Sequence, residues 1–158
     1  MKYSRFEELP VWNDAIQLGV RVLAFTSNDA FVRQASLRNQ IERAAVSVSN
    51  NIAEGFERGT TQELLTFLYI ARGSAGEVRS MLCLLERLPD LKNLKSEISD
   101  LKLGAEKISR QLRAWADSLQ NSPIKGQRYL TEKTRRVERA SRERDEFFHQ
   151  LRKIQAGE

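Results

Sequence analysis

The sequence predicts an all-α protein, an antiparallel up-down-up-down four-helix bundle (residues 1–121) followed by a basic helical C-terminal extension (residues 122–158). Three observations lead to this prediction. No window alternates apolar and polar residues with the period of two that a half-buried strand needs. Apolar residues instead recur at steps of three and four in four long segments, as on one face of a helix. The only prolines, Pro10, Pro89 and Pro123, lie at the edges of these segments.

The first two helices are delimited by proline and glycine. Proline at a first helical position loses no internal hydrogen bond, so the first helix is predicted to open at Pro10. The second helix is predicted to begin between Asp29 and Leu37, with Gly55 weakening it and Gly59 ending it. Its apolar residues recur at helical spacing along one face.

The third and fourth helices carry the clearest signals. Thr60 followed three residues later by Glu63 predicts a capping box at the start of the third helix, which must stop before Pro89. The fourth helix shows the longest apolar repeat, with alternating steps of three and four that favour near-antiparallel packing against its neighbours. The members of that repeat are Leu91, Leu94, Ile98, Leu101, Ala105, Ile108, Leu112, Trp115 and Leu119.

Positive charge is concentrated in residues 122–158. This segment holds ten Lys and Arg against six Asp and Glu, a net charge of +4, while residues 1–121 hold 16 against 15, a net charge of +1. Pairs such as Glu138 and Arg142 stand at i, i+4, which supports a helix. The segment is therefore either a solvated helix or an arm that contacts phosphates, and its composition leaves both open. The candidate phosphate contacts are Lys125, Arg128, Lys133, Arg135, Arg136, Arg139 and Arg142.

Composition excludes several classes of protein. A single cysteine, Cys83, excludes an internal disulfide framework, and with His149 as the only histidine the usual zinc sites are excluded too. A membrane span needs a run of about 18 apolar residues, and the sequence has no such run. The N-terminus lacks the apolar core of a signal peptide. We therefore expect the reducing cytoplasm as the compartment.

Catalysis finds little support among the residues. Glu54 and Glu77 are candidates for an acid pair, but helical-bundle metal sites use Glu-x-x-His motifs from two helices, and the only histidine, His149, lies in the C-terminal extension. Cys83 lies in the apolar stretch MLCLL and is predicted to be an inert core residue. No glycine-rich phosphate loop occurs. We expect a protein without catalytic residues, metal or cofactor.

Polar residues are embedded in the Ala- and Gly-rich second and third helices. If these helices form a hairpin centred near residue 59, positions whose numbers sum to about 120 face each other, which places Arg43 near Glu77. Buried polar groups are usually hydrogen-bonded, so a structural or subunit-interface network is favoured over a ligand-binding acid. The predicted network comprises Arg43, Asn51, Glu54, Arg72, Ser74 and Glu77.

Two long motifs go beyond bundle patterning: RAAVSVSNNIAEGFER at 43–58 and FLYIARGSAGE at 67–77. Together with LPVWNDA at 9–15, they resemble the four-helix-bundle family of ribosomal RNA intervening-sequence proteins, which are small bacterial proteins. That family is similar to the accessory variability proteins of diversity-generating retroelements, which assist a reverse transcriptase and bind nucleic acid. The sequence departs from the family in Val48–Ser49, where relatives commonly have Ile-Pro, and in Arg79, where an acidic residue is common.

The resemblance, which covers residues 6–119, implies a homopentameric barrel with a basic surface. It implies a non-enzymatic accessory protein that binds nucleic acid, either structured RNA or an RNA/DNA hybrid, with a reverse transcriptase as a candidate partner. The alternative is a scaffold that docks a partner polypeptide without touching nucleic acid. The sequence does not choose between a retroelement and a ribosomal RNA insertion as the setting of the gene.

Overall fold

Four long helices make up the bundle: α1 (Pro10–Thr26), α2 (Ala35–Glu57), α3 (Thr61–Leu85) and α4 (Lys95–Gln120). The structure, a computed structural model, describes residues 3–121, 140, 143, 144 and 146–148. No strand occurs among these described residues, which confirms the all-α prediction. The chain divides into two compact units, Met1–Gly126 and Gln127–Glu158. In the second unit the described residues are helical.

Short connections set the order of the helices in the first unit. A 3₁₀ segment at Asp29–Gln34 leads from α1 to α2, three residues separate α2 from α3, and a 3₁₀ segment at Pro89–Leu94 leads into α4. Connections this short make neighbouring helices antiparallel. Each of α1 and α3 packs against both α2 and α4, so the four helices close into a bundle.

Two predicted helix starts agree with the structure and one differs. Pro10 is the first residue of α1, and the Thr60 hydroxyl caps α3 by accepting from the Glu63 backbone N–H at 3.2 Å. The α-helical part of α4 begins at Lys95 rather than at Leu91, because the turn after Pro89 is 3₁₀. Gly55 lies inside α2, where a Cβ at this position would stand only 2.6 Å from Phe67 Cβ of α3.

The core is formed by one face of each helix. Leu91 is buried even though it precedes α4, and Phe25 packs edge-on against Phe31 with ring centroids 5.0 Å apart. Cys83, predicted to be a core residue, is only half-buried, because it lies at the edge of the α3–α4 contact. The largest fully buried side chains are Phe25, Phe31, Phe56, Ile41, Ile52, Leu64, Leu68, Leu82, Leu85, Leu91, Ile98 and Leu101.

Polar contacts join the helices outside this core. The Thr26 hydroxyl lies 2.5 Å from Glu42 Oε1, and Arg38 Nε lies 2.8 Å from the same oxygen, which ties the end of α1 to α2. Asp14 Oδ2 accepts from Lys107 Nζ and Gln111 Nε2, both at 2.8 Å, which ties α1 to α4. These contacts fix how the helices are set against one another.

Long apolar helices of the kind that cross a bilayer are absent from the part of the chain that the structure describes.

Candidate nucleic-acid interface and polar groove

A directional chain of hydrogen bonds runs across the α2–α3 contact. Asn51 Nδ2 donates to Ser47 Oγ at 2.9 Å and to the Ser47 carbonyl at 2.7 Å. Ser47 Oγ lies 3.0 Å from Ser74 Oγ, and Ser74 Oγ donates to the Ile70 carbonyl at 3.1 Å. Because each hydroxyl has one hydrogen, and that of Ser74 goes to Ile70, Ser47 is the donor to Ser74. Of the predicted network, the structure thus brings Asn51 and Ser74 together through Ser47.

Arg43 and Glu77 face a shared cavity of about 340 Å³ between α2 and α3. Its other lining residues are Gln40, Ala44 and Ser47. The hairpin argument is correct in placing Arg43 near Glu77. Both side chains are exposed, however, and within residues 3–121 neither forms an ion pair within 4.0 Å.

Glu54 and Arg72 lie apart from this hydrogen-bond chain. Glu54 Oε1 accepts from Arg58 at 2.6 Å, within one turn of α2, and its side chain is half exposed. Arg72 is half-buried on α3. The structure therefore does not join the six predicted residues in one connected network: Asn51 and Ser74 are linked through Ser47, Arg43 and Glu77 share a cavity, and Glu54 pairs within its own helix.

Arg58 is a residue that sequence reasoning missed. Its guanidinium lies over the Phe67 ring, 5.1 Å from the centroid, and 3.8 Å from Glu63. The hydrogen bond with Glu54, assisted by the charges of Glu54 and Glu63, raises the pKa of Arg58 above its usual value. The i, i+4 spacing of Glu54 and Arg58 was a visible signal, whereas the contact with Phe67 depends on the packing of α3 against α2.

Glu42 is a second missed residue. The hydrogen bond from Thr26 and the nearby Arg38 guanidinium lower the pKa of Glu42, although partial burial works in the opposite direction. No sequence signal points to this contact, since Thr26 and Glu42 are 16 residues apart and belong to different helices.

The described residues contain no cluster of metal-ligating side chains. Within the described residues, no three His, Cys, Asp or Glu side chains lie close enough to hold a metal ion. Glu54 and Glu77, considered above as an acid pair, have different surroundings: Glu54 pairs with Arg58, and Glu77 faces the cavity with Arg43.

The basic residues proposed to contact nucleic acid lie outside the described residues. These are Lys125, Arg128, Lys133, Arg135, Arg136, Arg139 and Arg142. Phe147 and Phe148, which follow these residues in the sequence, belong to the described part. Their rings pack edge-on with centroids 6.0 Å apart, and each side chain is more than half exposed.

Comparison with known proteins identifies the fold and the family. A solved structure of a protein of unknown function from the S23 ribosomal protein family of Bacteroides thetaiotaomicron matches with a TM-score of 0.60 and 20% identity. The match covers 67% of this chain and 97% of the other. No curated protein matches significantly. The profile of the 23S rRNA-intervening sequence proteins matches residues 7–114, from just before α1 to the last turns of α4. Since this match spans most of the chain, the protein belongs to the 23S rRNA-intervening sequence protein family.

Proposed function

We propose that the protein is a non-enzymatic, homo-oligomeric accessory protein that binds structured RNA or an RNA/DNA hybrid. The observation that carries the proposal is the uneven charge: residues 122–158 have a net charge of +4, whereas residues 1–121 are nearly neutral. Binding of a basic segment to phosphates releases counterions and needs no specific sequence. The family name, which refers to an insertion in ribosomal RNA, agrees with RNA as the ligand.

The charges on the bundle surface support the assignment of RNA binding to residues 122–158. Many of its cations are already neutralised by nearby carboxylates: Lys102 lies 2.9 Å from Glu86, and Lys107 lies 2.8 Å from Asp14. Charge that is paired in this way attracts phosphates weakly. The C-terminal segment is therefore the part of the chain best suited to electrostatic binding.

Exposed apolar residues of the bundle support the proposal of self-association. Val20, Leu23, Ile70, Leu84 and Leu103 are each 44–59% exposed on the helices of the first unit. Exposed apolar side chains mark an interaction site where they form one contiguous patch. We propose a cyclic homo-oligomer, a pentamer by family resemblance, in which several basic segments act together and raise the effective concentration of each further contact.

The test compares the full chain with a truncation ending at residue 121, using fluorescence anisotropy with a labelled RNA hairpin. The full chain should bind at low salt and weaken steeply as salt rises, and the truncation should lose most of this affinity. Circular dichroism and light scattering must show the truncation to be folded and oligomeric. Unchanged RNA affinity after truncation would refute the arm as the contact, and a monomeric mass for the full chain would refute the oligomer.

A second candidate function is a scaffold that docks a partner polypeptide, such as a retroelement reverse transcriptase. The adjacent exposed rings of Phe147 and Phe148 favour it, because exposed aromatic residues are enriched in protein interfaces. Substituting both with alanine should abolish capture of a purified reverse transcriptase while leaving RNA binding intact. If RNA binding is lost and capture persists, the aromatic pair serves the nucleic acid.

A further inference from the structure

The cavity between α2 and α3 presents two opposite charges that do not neutralise each other. Arg43 from α2 and Glu77 from α3 line the same space of about 340 Å³, and neither forms an ion pair within residues 3–121. A cation and an anion that share a cavity without meeting leave room for a ligand that contacts both. The volume is at the small end of the range for ligand sites.

The other lining residues of the cavity, Gln40, Ala44 and Ser47, carry no charge that would compete for Arg43 or Glu77. Ala44 is buried, and the Ser47 hydroxyl is already occupied as an acceptor from Asn51 and a donor to Ser74. Arg43 is a donor and Glu77 an acceptor, while the Gln40 amide adds one group of each kind. The site therefore favours a small ligand that has hydrogen-bond donors and acceptors on adjacent edges.

We propose that this cavity binds an unpaired guanine base of single-stranded RNA. Guanine offers two neighbouring N–H donors, N1 and N2, which match the two oxygens of the Glu77 carboxylate, while its O6 and N7 acceptors match the Arg43 guanidinium. Adenine and cytosine present only one amino group beside an acceptor nitrogen, and uracil has a single N–H between two carbonyls. Bases in unstacked RNA are recognised along these edges.

The inference rests on the proposed RNA-binding function and adds a base preference to it. Electrostatic binding by the C-terminal segment is independent of sequence, whereas the cavity reads one base. The two contributions therefore separate experimentally, since salt acts on the first and changes in the base act on the second.

The experiment measures binding of the full chain to labelled heptaribonucleotides by fluorescence anisotropy. The probes carry guanine, inosine, 7-deazaguanine or adenine at the centre of a uridine run. Guanine should bind about tenfold more tightly than inosine, which lacks the N2 amino group, than 7-deazaguanine, which lacks the N7 acceptor, or than adenine, as expected for one bidentate contact. Glu77→Gln should remove the preference over inosine, and Arg43→Gln should remove the preference over 7-deazaguanine.

Matched controls remove the same charges from outside the cavity. Glu57→Gln on α2 and Arg21→Gln on α1 alter exposed residues and should leave the preference intact. Equal binding of all four probes to the unmodified chain would overturn the inference while leaving charge-driven binding standing. A changed oligomeric mass in Glu77→Gln, with no change in preference, would also overturn it, because Glu77 would then serve a subunit contact.

Titration with free GMP tests the guanine site independently of RNA binding. If the full chain binds no RNA, calorimetric titration with GMP decides the inference alone. A heat of GMP binding that is lost in Glu77→Gln and retained in Glu57→Gln would support the guanine site, even though the proposed accessory function would be refuted. Absence of any heat from GMP would overturn the inference together with the function.

Discussion

The hydroxyl groups of Ser47 and Ser74 lie 3.0 Å apart across the α2–α3 contact. Asn51 donates to Ser47, and Ser74 donates to the Ile70 carbonyl, so the proton positions along the chain are fixed in one direction. This arrangement sets the register of two helices that belong to the most distinctive motifs of the sequence. Ser47 also lines the cavity that Arg43 and Glu77 share.

Ser74→Ala should destabilise the bundle by about 1–2 kcal/mol, because it leaves the Ser47 hydroxyl without its acceptor in a partly buried contact. Urea unfolding at neutral pH measures the change. Ser80→Ala, on the exposed surface of the same helix, is the control and should change the free energy of unfolding by less than about 0.5 kcal/mol. Equal effects of the two substitutions would contradict the role of the hydrogen-bond chain.

Gly55→Ala should destabilise the protein by about 1–3 kcal/mol. A Cβ at position 55 would lie 2.6 Å from Phe67 Cβ and 3.3 Å from Leu64 Cδ1, so α2 and α3 would have to move apart. Gly73→Ala is the matched control, since among the described residues its Cβ would meet nothing within 4 Å. It should stabilise its helix by up to about 1 kcal/mol, measured by thermal unfolding. Destabilisation by Gly73→Ala would reveal that another molecule packs there.

Thr26→Val should cost about 1.5–3 kcal/mol at neutral pH, because it removes the hydroxyl that donates to the Glu42 carboxylate. Since folding lowers the pKa of Glu42 below its ordinary value of 4.5, the stabilisation is complete above 4.5 and is lost as pH falls through the lower, folded-state pKa. The difference between wild type and variant, measured by urea unfolding, should therefore shrink in acid. A constant difference from pH 7 to pH 2 would argue against this linkage.

Glu54→Ala should change the free energy of unfolding by less than about 1 kcal/mol, because its partner Arg58 lies one turn away in the same helix and both side chains are about half exposed. The sequence alone predicts about 1–3 kcal/mol, on the assumption of burial. Thermal unfolding at low protein concentration distinguishes the two values. A loss above 2 kcal/mol would mean that Glu54 is buried in an assembly.

Charge reversal at Arg135, Arg136 and Arg139 should weaken RNA binding and flatten its dependence on salt, since three phosphate contacts are lost. The slope of log affinity against log salt should decrease by about 0.7–0.9 for each contact. Glu132→Gln, which removes one negative charge from the same segment, is the control and should not weaken binding. An unchanged slope in the triple variant would exclude these arginines as phosphate contacts.

Local signals in the sequence determined the helices and most of their ends. Pro10 opens α1 and Thr60 caps α3, because these features depend only on backbone geometry and neighbouring residues. The apolar repeat likewise determined which face of α4 is buried, since helical periodicity fixes the face before any partner is known. The position of Arg43 near Glu77 followed from the same logic applied to a simple hairpin.

Only the tertiary structure decided how close the helices approach and which polar groups meet. Gly55 reads as a weak point in a single helix, yet it allows Phe67 of α3 to pack against α2. The bond between Thr26 and Glu42, and the failure of Arg43 and Glu77 to form a salt bridge, depend on distances set by the packing of whole helices. Periodicity specifies the direction in which a side chain points, but the length of each contact follows from how all four helices fill their shared core.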